Sequence, residues 1–455
     1  MRFLARGLDM DRKDMRRIFA IMLPALVEMV LSQVFGMVDT MMLGHSADST
    51  AAIAAVGLTN TPFNLCNGVI SALNVGTTAG VAWAIGSKDY DAARAVTRTA
   101  VVLNAIIGVV VALVLYTQAS PIIRFMKAEA DAYDMAVTYL KIVAVGMLPL
   151  TMCYGMTGAL RGAGETRLPM YYNLFANFLN VIGNYLLIYG RLGLPAMGVA
   201  GAALSTTVSR FVAMFLAMGV LIFGKHDIRL KLKEGFRLRM KWVKRIFKVG
   251  STAAAEQLIM QLGFMSFALT VASLGTKMFA AHQIALSVNG LTWTPAQALG
   301  VAATTMAGQR LGAGEPIKAR DSARLIHRIG LCMAAVMAAF FLCFAYQVAL
   351  LYTTDQQTAR LAADALCMVA IGLPFIFTQI PLAAALRGAG DTVFPLVAST
   401  VGIWTFRVLV APVFVNVLGW GLVGAWLSIV LDQGTRAAVN YLRFRSGRWM
   451  TKKVV

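Results

Sequence analysis

An acid inside an apolar stretch asks for a chemical explanation before anything else does. Asp39 stands in "QVFGMVDTMMLG", and four asparagines, Asn173, Asn177, Asn180 and Asn184, recur every three or four positions in "YYNLFANFLNVIGNYLLIYG". That spacing places the four amides on one face of a helix. Their carbonyl oxygens, together with Asp39, would suit a hard cation such as sodium, and the carboxylate alone would suit a proton. The plainer alternatives are that Asp39 is a helix-end acid facing water and that the amides tie helices together. Two further ions, Glu256 in "STAAAEQLIMQ" and Arg407 in "GIWTFRVLV", lie well inside apolar stretches, where an unpaired charge is costly. They are therefore expected to approach each other or to share a hydrogen-bond network, with Gln257 and Gln283 in the same candidate polar site. A structural ion pair and a proton-coupled pair both fit that expectation. Glu28 has no obvious basic partner and is expected to line a cytoplasmic vestibule. Pro24 removes a backbone donor from the first apolar stretch and is a candidate hinge or a static kink.

The elements that hold these residues are dictated by composition. Of 455 residues 58% are hydrophobic and 14% are charged, with mean hydropathy +0.70. A soluble domain carries about a quarter charged residues, so this is a membrane chain. Roughly twelve stretches are long enough to cross a bilayer as helices. They lack the two-residue alternation of an outer-membrane barrel, and helices satisfy their own backbone in lipid. The formal charge of +20 raises the question of nucleic acid, and the positions of the basic residues answer it. Six of the 41 lie in the first 17 residues and ten in Lys225–Lys248, with further ones at Lys88, Arg94, Arg310, Lys318 and Arg320. This one-sided distribution predicts cytoplasmic termini and a cytoplasmic central loop, and no nucleic-acid partner. The first apolar stretch is too long for a signal-peptide core and has no cleavage site behind it, so insertion through the chain's own helices is expected. Five cysteines, all in apolar stretches, show no metal-ligand spacing and are expected to pack. No metal is expected beyond sodium at Asp39, and no cofactor beyond the coupling ion.

The chain is written twice. "LRGAGETRLP" begins at Leu160 and "LRGAGDTVFP" at Leu386, 226 positions later; the segments at Ile85–Arg94 and Leu311–Arg320 match at the same offset. "RRIFAIMLPALVEMVLSQ" at Arg16 corresponds to "KRIFKVGSTAAAEQLIMQ" at Lys244, and "GVAGAALS" at Gly198 to "GLVGAWLS" at Gly421. The expected fold is therefore all-α and polytopic, with two parallel six-helix repeats: residues 1–224, a basic cytoplasmic linker 225–245, and residues 246–455. An even number of helices per copy makes the copies parallel, a transporter architecture in which one half rocks against the other. The repeated phrase should cap the fourth and tenth helices, glycine making the turn and proline entering the next helix early.

Taken jointly, "VDTMMLG" at Val38–Gly44, the paired "LRGAG(E/D)T" phrases, "AAHQIAL" at Ala280–Leu286, "GQRLGAGE" at Gly308–Glu315 and "LRFRSGRW" at Leu442–Trp449 resemble the multidrug and toxic compound extrusion (MATE) family over essentially the whole chain. The resemblance implies a two-lobed, twelve-helix exporter, not an enzyme, which exchanges organic cations or drug-like molecules for inward protons or sodium by alternating access. It places the ion-coupling carboxylate at Asp39 and the fifth-helix partners at Asn180 and Asn184. The second lobe departs from the NorM-like pattern: that branch's seventh-helix glutamate falls on Met260, and its tenth-helix aspartate falls near Ile376. Coupling through Asp39, with Glu256 a lesser candidate, is the expectation. A monomer in a bacterial-type inner membrane, in contact with lipids and a small-molecule cargo, goes with it. The rival readings are a flippase for a lipid-linked precursor and a narrow metabolite exporter.

Overall fold

The computed structural model describes residues 11–45, 49–126, 130–224, 226–230 and 239–452, apart from the side chains of 49–53 and 130–131. Part of the basic linker, 225 and 231–238, and the basic residues within 1–10 lie outside the described residues. The helices are α1 (Arg12–Gly44), α2 (Ser49–Gly86), α3 (Tyr90–Thr117), the short α4 (Ala119–Phe125), α5 (Ala130–Val145), α6 (Met147–Ala163), α7 (Arg167–Tyr189) and α8 (Gly198–Phe223). They continue with α9 (Met240–Ala272), α10 (Thr276–Gly312), α11 (Pro316–Leu350), α12 (Gln356–Gly388), α13 (Val393–Gly402) and α14 (Gly421–Arg445). Two π-helical stretches, Ile403–Val410 and Val413–Val417, prolong α13 into a single 25-residue span. α5 and α6 form one span bent by 43°. Glycine sits at that bend because a side chain at Gly146 would press on the Val143 carbonyl at 3.1 Å and the Arg210 guanidinium at 3.2 Å. Counting each of these composites once, the described residues form twelve long helical segments and no strand. Eight helices are individually long and apolar enough to cross a membrane. The chain is an all-α, multi-pass membrane protein.

Contacts divide the chain into two compact units, Val27–Gly250 and Ser251–Val455 with Met1–Leu26. α1 changes unit between Leu26 and Val27, two residues past Pro24, and α9 changes between Gly250 and Ser251. Pro24 is buried, and α1 runs through it as continuous helix.

Each unit repeats the same close helix contact. In the first, a side chain at Gly162 of α6 would meet Val81 of α2 at 3.0 Å; in the second, one at Gly388 of α12 would lie 2.9 Å from the Thr304 Cα of α10. Without a hydrophobic driving force between helices in lipid, such backbone approach is what lets dispersion contacts hold them together. The repeated phrase ends both helices in the same way. Gly164 (φ +91°) and Gly390 (φ +81°) adopt the left-handed conformation. Glu165 N–H donates to the Leu160 carbonyl and Asp391 N–H to the Leu386 carbonyl, both at 2.9 Å. This is the glycine-dependent helix cap, with Pro169 and Pro395 in the first turn of the helix that follows. The turn after α2 and the turn after α10 also correspond, with Lys88 (φ +59°) in the place of Gly314 (φ +74°).

In the second unit, the start of α1 is tied to the end of α10. Arg310 pairs with Asp14 and, at 2.6 Å, with Glu315, while Arg17 donates to Gln309 at 2.7 Å. Glu315 also pairs with Lys318 at 3.1 Å. Hydrogen bonds from Arg310 and then Lys318 hold its carboxyl below the usual carboxylate range.

Candidate functional site

The asparagine stripe of α7 faces α1 and reads it in order. Asn173 donates to Glu28 at 2.7 Å, Asn177 to the Ser32 hydroxyl at 3.1 Å, and Asn184 to Asp39 at 2.8 Å. With its amide turned so that every neighbour finds a complementary atom, Asn180 donates to both Asp39 oxygens at 3.0 and 2.9 Å and accepts from the Thr206 backbone N–H at 3.1 Å. The stripe thus joins two helices and also brings two of the candidate residues, Asn180 and Asn184, onto the carboxylate of Asp39. Asn180 and Asn184 are buried and Asp39 is half-buried. The Asn184 carbonyl oxygen is buried beside Asp39 with no donor facing it. That leaves an acceptor in place for a cation.

The expected approach of Glu256 to Arg407 does not occur. Glu256 accepts from Arg387 at 2.9 Å and from Ser399 at 2.7 Å, whereas Arg407 donates through Nε to Asp432 at 2.6 Å. Ser399 and Arg407 lie on the same span but eight residues, or about 12 Å of helix rise, apart, so one acid does not serve both. Glu28, expected to lack a basic partner, has one in Arg161 at 3.0 Å. These two corrections share a cause. Arg161 and Arg387 are the arginines of the two repeated phrases, and each turns back onto the acid in the first helix of its own repeat, where a third helix adds Asn173 or Ser399. The repeated phrase is therefore a helix cap and a carboxylate clamp at once, and Glu256 is held in an ion pair with Arg387.

Arg407 belongs to a different cluster. Asp432 of α14 accepts from Arg407 Nε, from Arg436 Nε at 2.7 Å and from Arg436 Nη2 at 2.9 Å, with all three residues buried. Arg407 lies over the rings of Phe264 at 4.8 Å and Phe267 at 5.8 Å. Arg436 also reaches Met260 sulfur at 3.9 Å, at the position where the NorM-like branch has its glutamate. Gln257 is half-buried, Gln283 is exposed, and Ile376 is buried and apolar. Asp432 escaped the sequence reading, although an acid and an arginine four apart in "LDQGTR" within an apolar stretch is the signal that would have found it.

Comparison with known proteins follows the same lines. The family model MatE matches the chain twice, over residues 24–186 and 253–413, so each repeat is recognised separately. "Probable multidrug resistance protein NorM" of Thermotoga maritima is 31% identical over 442 residues, covering 97% of this chain and 94% of the relative. Multidrug resistance protein PmpM of Pseudomonas aeruginosa is 29% identical, covering 88% and 84%. Among solved structures, the outward-facing conformation of a multidrug resistance MATE family transporter of the MOP superfamily matches with a TM-score of 0.88 at 24% identity, covering 98% of this chain and 97% of that one. Its likeness speaks for the fold. With the duplicated helical frame, the family model on both copies and a relative above 30% identity along nearly the whole chain, this protein belongs to the MatE family of membrane transporters.

Proposed function

We propose that this transporter is a secondary antiporter that exports organic cations or related drug-like molecules in exchange for protons or sodium ions moving inward, by alternating access. The observation that carries the proposal is how the intramembrane carboxylates are held. Glu28, Glu256 and Asp432 are each paired with arginine, whereas among the described residues Asp39 is held by asparagine amides alone. An arginine-clamped acid has its charge already balanced, and the acid without a cation is the one free to take up a cation or a proton. Asp39 is therefore the coupling carboxylate, with Asn180 and Asn184 as its partners. The unpartnered Asn184 oxygen fits sodium, which favours oxygen ligands. A proton on Asp39 would instead remove an acceptor from two amide donors. Either event changes the relative stability of two access states only in so far as the ion binds them differently, which is what coupling requires. Pro24, where α1 passes between units, is the candidate hinge.

The names of the relatives support a drug-like cargo. The one-sided basic residues support an inner-membrane orientation with both termini in the cytoplasm. The protein acts as a monomer amid membrane lipids, with no cofactor besides its coupling ion.

The test is efflux of a fluorescent organic cation from reconstituted vesicles under an imposed proton gradient and then an imposed sodium gradient. Asp39→Asn should lower gradient-driven export at least about tenfold, the effect of one lost charge-assisted contact. Equal rates for wild type and variant under both gradients would refute the assignment.

A further inference from the structure

We propose that the second lobe contains a binding site for an oxyanion, filled by a carboxylate or phosphate group of the cargo, so that the molecules this exporter handles best carry an acidic group as well as a cationic one. The proposal rests on the exporter reading and adds the chemistry of the cargo.

The argument starts from the charge count in one buried cluster. Arg407 and Arg436 share the single carboxylate of Asp432, which already accepts three N–H groups from them. Arg407 is 5% exposed, Arg436 1% and Asp432 0%. Arginine does not release its proton in a protein, so the cluster keeps one positive charge in excess where an unbalanced ion is expensive. Moreover, Arg407 is bonded through Nε alone. Among the described residues its two Nη groups have no hydrogen-bond partner, and the ring of Phe264 covers its face. A guanidinium edge held in this way is the fork that takes a carboxylate or phosphate with two parallel bonds.

The repeat supplies the comparison. By the 228-residue offset, Asp39 of the first repeat corresponds to Phe267 of the second, whose ring lies beside Arg407. Where the first lobe surrounds an acid with amides, the second sets a guanidinium beside phenyl rings. The polarity of the site is inverted. Phe267 also packs on His282, which packs on Trp426, and both His282 Nδ1 and Trp426 Nε1 are buried without a partner. Buried polar atoms left open in one ring cluster point to a ligand that completes them.

Two dyes isolate the effect, because rhodamine 123 is the methyl ester of rhodamine 110 and lacks only its free carboxylate. Binding would be measured by fluorescence anisotropy with the full-length protein in phosphatidylcholine nanodiscs. Wild type should bind rhodamine 110 roughly 10- to 100-fold more tightly than rhodamine 123, the worth of one charged bidentate contact. Arg407→Gln should bring that ratio close to one, and Arg407→Lys, which keeps the charge without the fork, should leave an intermediate ratio. Equal affinities in wild type, or a preference that survives Arg407→Gln, would overturn the proposal. Repeating the comparison with phosphatidylglycerol in the disc separates the sources of the oxyanion. A preference that persists supports a cargo group, and one abolished by the anionic lipid assigns the site to a headgroup and overturns the cargo assignment. Gradient-driven export of rhodamine 123 tests the exporter reading by itself, so failure of one leaves the other standing.

Discussion

Replacing Arg387 with glutamine takes away the cation that pairs with Glu256 and leaves its charge with neutral hydrogen-bond partners only, Ser399 among them. Removing one member of a buried pair costs about 3–5 kcal/mol, because the other charge stays buried without balance. The Arg387 and Glu256 side chains are 18% and 11% exposed, so some water reaches them and the lower end, about 3 kcal/mol, applies. For a cooperative unit of roughly 200 residues, each kcal/mol moves the midpoint by about 2–4 °C, so the melting temperature should fall by roughly 6–12 °C. The double variant Arg387→Gln/Glu256→Gln should recover most of that loss, since two neutral amides can bond to each other and to Ser399 without a charge to balance. Intrinsic fluorescence on heating reports this lobe directly, because Trp426 and Trp449 are fully buried in it. Arg161→Gln with Glu28→Gln should behave alike in the first lobe. If the double variant melts no higher than Arg387→Gln alone, the clamp is not the source of the stability and the argument from the repeated phrase fails.

Other consequences can be checked at separate points of the frame. Gly388→Ala should destabilise by about 1–3 kcal/mol, since its Cβ would lie 2.9 Å from backbone that cannot give way, whereas Gly80→Ala, with its nearest neighbour at 3.4 Å, should be tolerated; denaturation midpoints distinguish the two. Lys88→Gly should stabilise by roughly 0.5–1 kcal/mol, the cost of a left-handed lysine less the chain entropy of glycine, and Gly314→Lys should do the reverse in the same measurement. Glu315 has its carboxyl held low in the folded protein, so its contribution is complete above the usual value of 4.5 and is lost as the pH falls through the depressed one. Melting temperature followed from pH 6 downward should therefore decline less steeply below about pH 4.5 in Glu315→Gln than in wild type.

What the letters made legible was whatever is local or repeated. The helical spans follow from apolar length, the turns at Gly164 and Gly390 from the repeated phrase, and the gathering of Asn180, Asn184 and Asp39 from an amide stripe at helical spacing opposite a single acid. The partners of the remaining ions were not legible, because in a bundle the nearest cation to a carboxylate is fixed by which helices adjoin. Arg387 lies at a helix end and Glu256 in mid-span, and nothing in their surroundings along the chain announces that they meet. The two offsets held the clue: aligning Glu28 with Glu256 at 228 and Arg161 with Arg387 at 226 yields two equal pairs, a pattern that a lone Glu256–Arg407 pairing does not reproduce. The π-helical stretch was beyond reach for a different reason. Apolar residues surround Arg407 on both sides, so no periodicity marks where the backbone widens.

That widening has a consequence for how two copies of one plan come to differ. The span from Val393 to Val417 holds 25 residues where α7 holds 23, yet α14 follows it with the same "GxxGAxLS" opening as α8. The connection that follows is shorter in the second copy, 28 positions separating Val393 from Gly421 against 31 between Arg167 and Gly198, and the wider π-helical turns re-aim the side chains they carry. Within those turns the second copy has exchanged an amide face for a guanidinium, and the clamps and caps that secure the frame remain as they are in the first. A duplicated protein can in this way alter its chemistry in one half by changing the pitch of a single helix, leaving the architecture to the residues that have not moved.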